Sequence, residues 1–120
     1  MIGSSQTVVA KVGDEAILPC HIEPSVNTAK MTVEWTRPDL KPQFVLILRN
    51  GRYLTEEQNL LYTNRVSLFH EKLSHGNISL KLTRVKLSDQ GTYRCYVTDL
   101  NHHYSNIQLL VGKIYCSKHG

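Results

Sequence analysis

Along this chain the apolar side chains return at every second position rather than every third or fourth. Ala16, Leu18, Cys20 and Ile22 alternate with Ile17, Pro19 and His21, and Val33 and Trp35 alternate with Thr32 and Glu34. Ile78, Leu80 and Leu82 interleave with Ser79, Lys81 and Thr83. Tyr93, Cys95 and Val97 interleave with Arg94, Tyr96 and Thr98, and Ile107, Leu109 and Val111 with Gln108 and Leu110. Each run predicts a strand with one buried face. The segment from Gln43 to Arg49 departs from this rule, because Val45 and Ile47 make one phase apolar and Phe44, Leu46 and Leu48 the other.

Turn signals separate the runs: Gly13-Asp14, Arg37-Pro38-Asp39, Asn50-Gly51, His75-Gly76-Asn77 and Ser88-Asp89-Gln90-Gly91. Asn-Gly is the strongest of these, since both residues accept positive φ in a two-residue hairpin turn. No helical stripe of useful length interrupts the pattern. Short strands at this spacing predict an all-β sandwich or barrel.

Length and charge narrow the reading further. The 120 residues make one domain, too short for a two-domain enzyme with an interdomain cleft. The formal charge of +4 is uneven: residues 1–60 hold six basic and seven acidic side chains, residues 61–120 eight and three. That excess lacks the dense clusters of a nucleic-acid binder, so no nucleic acid is expected. No run of 18 apolar residues crosses a bilayer, and Met1–Ser5 has neither the basic nor the apolar region of a signal peptide. For an extracellular protein, the signal and any membrane span are expected outside this chain.

The cysteines are odd in number: Cys20, Cys95 and Cys116. Cys20 and Cys95 both fall on inward phases. A bridge between them would close a loop of about 75 residues, worth about 4–5 kcal/mol in the chain-entropy model; the alternative is two buried free thiols. Trp35, the only Trp, takes an inward position where it can pack on the sulfurs, and Tyr93 precedes Cys95 by two residues. Cys…Trp…Tyr-x-Cys is the framework of an immunoglobulin sandwich.

Here the chain resembles a known family. Asp89-Gln90-Gly91-Thr92-Tyr93-Arg94-Cys95 is similar to the D-x-G-x-Y-x-C signature of immunoglobulin variable-type (V-set) domains. The resemblance covers residues 6–112, leaving 1–5 as an N-terminal extension and 113–120 as a tail or the start of a linker. It implies a two-sheet Greek-key sandwich of about nine strands, a Cys20–Cys95 disulfide and an Arg65–Asp89 ion pair. Within the superfamily, four segments look like butyrophilins and myelin oligodendrocyte glycoprotein. They are Val12–Cys20, Val33–Arg37, Val45–Gly51 with its Leu-Arg-Asn-Gly turn, and Leu82–Asp89. The joining-segment Phe/Trp-Gly-x-Gly of rearranged receptors is missing, because Asn101–Val111 contains no Gly.

Catalytic chemistry finds little support. His70-Glu71-Lys72-Leu73-Ser74-His75 has one residue too many for the zinc motif H-E-x-x-H, and the segment reads as strand and turn. His102 and His103 lack a third ligand nearby. There is no G-x-S-x-G, no phosphate-cradling Gly loop and no C-x-x-C. We therefore expect no enzyme, no cofactor and no metal. Asn77-Ile78-Ser79 is the sole glycosylation sequon, so Asn77 is the candidate glycan site in a secreted protein.

The partner-binding expectation rests on the doubly apolar strand. One of its phases must enter the core. The other, taken as Phe44, Leu46 and Leu48, would lie on the outer face of the sheet formed by strands G, F, C and C′, beside Tyr96, Tyr104 and Gln108. Loops at residues 23–32, 49–54 and 98–105 would border it, the last contributing Leu100, His102 and His103. The resemblance implies an extracellular ectodomain of a type I plasma-membrane protein, binding a protein counter-receptor on another cell and modulating lymphocytes. Homophilic myelin-type adhesion, with a homodimer through the same face, and an antigen-receptor-like chain are the alternatives. Lys81, Arg84 and Lys86 fall toward the opposite sheet as a solvated face. Cys116 lies outside the matched pattern, unpaired or intermolecular.

Overall fold

The computed structural model describes residues 5–23, 25–100 and 104–112. Nine strands are described: β1 (Ser5–Lys11), β2 (Ala16–Leu18), β3 (Thr32–Thr36), β4 (Phe44–Arg49), β5 (Arg52–Tyr53), β6 (Val66–Leu68), β7 (Leu80–Leu82), β8 (Gly91–Val97) and β9 (Tyr104–Gly112). They form a six-stranded sheet in the order β1-β9-β8-β3-β4-β5 and a three-stranded sheet in the order β2-β7-β6. This is the V-type sandwich, with β9, β8, β3 and β4 in the G, F, C and C′ places.

The period-two runs place the core. Leu18, Val33, Trp35, Leu80, Leu82, Val97, Ile107 and Leu109 are all buried between the sheets. Cys20 and Cys95 are joined across them by a disulfide. Trp35 is the register partner of Cys95, and its indole N–H donates to the Ile78 carbonyl at 2.9 Å, so the largest core side chain carries no orphan donor. The Asn50-Gly51 turn closes the β4–β5 hairpin as the sequence predicts: Arg49 pairs with Arg52, and the turn residues take φ of 50° and 81°.

A buried polar chain anchors the lower corner of the sandwich. Arg65 holds both oxygens of Asp89 at 2.8 Å. The Tyr93 hydroxyl donates to the Asp89 carbonyl and accepts from Tyr62, whose own oxygen accepts from Arg37 Nη1 at 2.8 Å. The two guanidiniums lie over the two phenol rings, Arg37 over Tyr93 and Arg65 over Tyr62. Hydrogen bonds to Asp89 raise the Arg65 pKa, while burial pushes the Tyr93 phenol well above its usual range. The family pair Arg65–Asp89 is thus present, and Tyr93 bonds back to the corner before it. Arg37 and Tyr62, absent from the expected framework, complete the chain.

Two expectations are corrected, and one strand, β1, was not predicted at all. The 70–75 segment is a 3₁₀ helix, not strand and turn; His70 Nε2 is hydrogen-bonded to the Tyr53 hydroxyl at 2.8 Å. β1 has no alternation strong enough to announce it, because its ladder with β9 supplies the pairing. The second correction concerns β4. The β3–β4 register shifts between Trp35 and Thr36, so that Trp35 pairs with Leu46 but Thr36 with Phe44, and Val45 is the extra residue. Directly opposed residues share a face, so Leu46 and Leu48 follow Trp35 and Val33 into the core. They are 2% and 0% exposed, and neither is available to a partner.

Candidate functional site

The outer face of the six-stranded sheet is built by the strand phases that oppose this core. On β3 these are Thr32, Glu34 and Thr36, because Val33 and Trp35 point inward. The register carries the row outward in both directions: Glu34 pairs with Ile47 on β4 and with Tyr96 on β8, and Tyr96 pairs with Tyr104 on β9. One step along, Thr36 pairs with Phe44 and Arg94, and Arg94 with Asn106. At the other end Thr32 pairs with Arg49.

The expected apolar patch is therefore largely absent. Val45 and Ile47 are buried along with Leu46 and Leu48, leaving Phe44 half-buried as the one partly open apolar side chain of β4. Its backbone is held by a parallel bridge to Gln58 and by the Asn59 N–H, which donates to its carbonyl at 2.8 Å. The open part of the face is aromatic and polar instead. Tyr96 is half-buried and donates its hydroxyl to Glu34 Oε1. Burial, and then the bond and charge of Glu34, push the Tyr96 phenol up to about 12. Gln108 is exposed; its register partners Thr7 and Thr92 are exposed too, and with Gln6 and Asn106 they line a shallow polar groove.

The remaining expected residues divide as follows. Leu100 is half-buried and packs against the core, which limits what it can offer a partner. Tyr104 is placed by its β9 pairing, while His102, His103 and Cys116 lie outside the described residues. Asn77 is half-buried, and its side-chain oxygen accepts from the Ser79 N–H at 3.0 Å. Lys81 stands on the opposite sheet in an exposed ion pair with Glu15. Glu34 was not among the expected residues of this face, and Arg49 and Arg52 entered only as part of the bordering 49–54 loop. The signal was available: an Asn-Gly hairpin fixes the β4–β5 register, and counting from Trp35 places Glu34 on the outer phase.

Among the described residues no group of His, Cys, Asp and Glu could hold a metal ion, and no helix is long and apolar enough to cross a membrane. A second cleft of about 440 Å³ lies between β4, β5 and the segment leading to β6, lined by Ile47, Tyr53, Leu54, Leu60 and Val66 among others.

Comparison with known proteins agrees with this architecture. The immunoglobulin V-set domain model matches residues 3–111. The chain is 32% identical over 120 residues to butyrophilin subfamily 1 member A1 of Bos taurus, covering 99% of this chain and 23% of that protein. It is 38% identical over 99 residues to myelin-oligodendrocyte glycoprotein of Macaca fascicularis, covering 82% of this chain and 40% of that one. The human B7-H4 IgV-like domain superposes with a TM-score of 0.76 at 26% identity, covering 87% of this chain and 90% of that domain. The chain thus spans less than half the length of the butyrophilin and of the myelin-oligodendrocyte glycoprotein.

Proposed function

The chain belongs to the immunoglobulin V-set family, and from that premise we propose that it is the extracellular recognition domain of a cell-surface protein. It binds a protein counter-receptor on another cell through the outer face of its six-stranded sheet, and the outcome is modulation of lymphocytes. The observation that supports this most is the composition of that face. Half-buried Tyr96 and Phe44 sit among exposed Arg94, Arg49 and Gln108. Aromatic and Arg side chains set in a polar surround are the residues that carry binding energy at protein interfaces. The similarity to butyrophilin and to the B7-H4 domain supports the immune branch of the reading. Membership of the V-set family, shared with butyrophilin and myelin-oligodendrocyte glycoprotein, supports a binding role rather than a catalytic one.

A fluorescent tetramer of the chain, applied to leukocytes, tests this. Staining of a lymphocyte subset that is protease-sensitive on the cell side and lost with Tyr96→Ala supports the reading. Undiminished staining by that variant overturns the choice of face. Concentration-dependent self-association in sedimentation, also lost with Tyr96→Ala, would instead favour homophilic adhesion.

A further inference from the structure

The β4–β5 hairpin holds two cations against each other. Arg49 and Arg52 are the register pair that closes the Asn50-Gly51 turn, so their side chains leave the hairpin on one face and begin about 5 Å apart. Both are exposed. Arg49 also opposes Thr32, which lies on the outer phase of β3, so both guanidiniums belong to the outer face of the six-stranded sheet. The turn carrying a third cation, Lys30, is tied to the same tip, because the Asn50 N–H donates to the Met31 carbonyl at 3.3 Å.

Like charges directly opposed across two strands destabilise a hairpin, and a protein normally answers them with a carboxylate. This one does not. The ion pairs among the described residues lie elsewhere, at Arg37–Asp39, Arg65–Asp89 and Lys81–Glu15. Two carboxylates stand near in register, and each is engaged by another group. Asp99 Oδ1 accepts from the Thr32 N–H at 2.9 Å, and Glu34 accepts from Tyr96. The positive φ values of Asn50 and Gly51 fix the turn and hold the two side chains at neighbouring starting points, from which both guanidiniums reach the same ligand.

Building on the reading of this face as a recognition surface, we infer that Arg49 and Arg52 form a clamp for carboxylates of an acidic segment on the protein counter-receptor. Two adjacent planar forks match carboxylate oxygens bidentately. The pair is continuous through Thr32 with the Glu34–Tyr96 row, so one protein surface can cover both. Three cations at one tip suit one or two carboxylates, whereas a sulfated polysaccharide is held by a longer basic track. The same like charge opposes a second copy packing tip to tip, which separates this partner from a homodimer.

The test uses the 120-residue chain and two readouts. First, a hexaglutamate peptide is titrated into the ¹⁵N-labelled chain. Saturable shifts confined to the amides of residues 30–32 and 49–52, abolished by Arg49→Glu/Arg52→Glu, support the clamp; no shift there, or the same shift in the variant, overturns it. Second, leukocyte staining by the tetramer is expected to fall about tenfold or more with the double reversal, and to weaken between 50 and 300 mM salt. Staining that survives the double reversal but is lost with Tyr96→Ala refutes the clamp and leaves the recognition face standing. Staining lost on sialidase or heparinase treatment of the cells assigns the anion to a glycan and overturns the protein assignment. If no leukocyte stains, the recognition reading falls, and the peptide titration alone decides the clamp. Circular dichroism controls for folding. Arg52→Glu, which turns a like-charged pair into an opposite one, is expected to raise Tm by about 1–5 °C.

Discussion

The Tyr96 hydroxyl donates to the Glu34 carboxylate across the β8–β3 ladder, at the centre of the six-stranded sheet. Burial, then this bond and charge, lift the phenol pKa from 10.0 to about 12. The folded pKa is raised, so the contribution of the neutral phenol to stability is complete below pH 10 and is lost as pH rises through 12. Thermal melts between pH 9 and 12 are expected to fall less steeply for Tyr96→Phe than for the parent chain. Parallel curves would show that Tyr96 does not titrate late.

Arg65 and Asp89 are both buried, at 4% and 0% side-chain exposure, and make two parallel hydrogen bonds. Removing one partner leaves a buried charge without its counter-ion, which costs about 3–5 kcal/mol. Asp89→Asn or Arg65→Met is therefore expected to lower the urea midpoint sharply. The double variant Arg65→Met/Asp89→Asn should cost less than the two singles added together. Losses in the double that equal or exceed the sum of the singles would mean that each residue acts through other contacts.

Gly91 illustrates a backbone position set by a neighbour rather than by φ. A Cβ there would lie 3.0 Å from the Arg37 guanidinium. A long side chain normally yields, but Arg37 is held by Tyr62, Ser88 and Asp39. Gly91→Ala is expected to cost about 1–3 kcal/mol, in the range of overpacked sites. Freeing the guanidinium with Asp39→Ala should make the same substitution cheaper, a coupling readable in a double-mutant cycle. Additive losses would place the clash elsewhere.

How far the sequence reached depends on how local each signal was. Trp35, Tyr93 and the two bridged cysteines lie on strands whose alternation is regular, so counting by twos put them in the core. The outer face failed at β4 because one bulged residue, Val45, reverses the phase between Phe44 and Leu46, and no side chain there marks the bulge. An all-apolar strand offers no polar residue to show which phase faces water. β1 was silent for another reason: its parallel ladder to β9 joins residues about a hundred positions apart, and a strand recruited by a distant edge needs little alternation of its own. The Arg37–Tyr62 bond is likewise a tertiary event between side chains that look like ordinary surface residues in sequence.

Leu46 and Tyr96 separate the fold from its function. Leu46 lies opposite Trp35 and is 2% exposed, so a carboxylate there enters an apolar interior with no partner. Leu46→Asp is expected to unfold the chain at ordinary temperature, and Leu46→Ala to cost about 2–5 kcal/mol in denaturant. Any loss of binding or self-association by Leu46→Asp would then report unfolding and not an interface. Tyr96→Ala removes a half-buried phenol whose hydroxyl, among the described residues, bonds to Glu34, so its fold is expected to survive with a loss of about 1–2 kcal/mol. Circular dichroism of the two variants side by side, followed by cell staining of the one that folds, makes the comparison. A folded Leu46→Asp chain with native melting behaviour would return that side chain to the surface and undo the register assigned to β4.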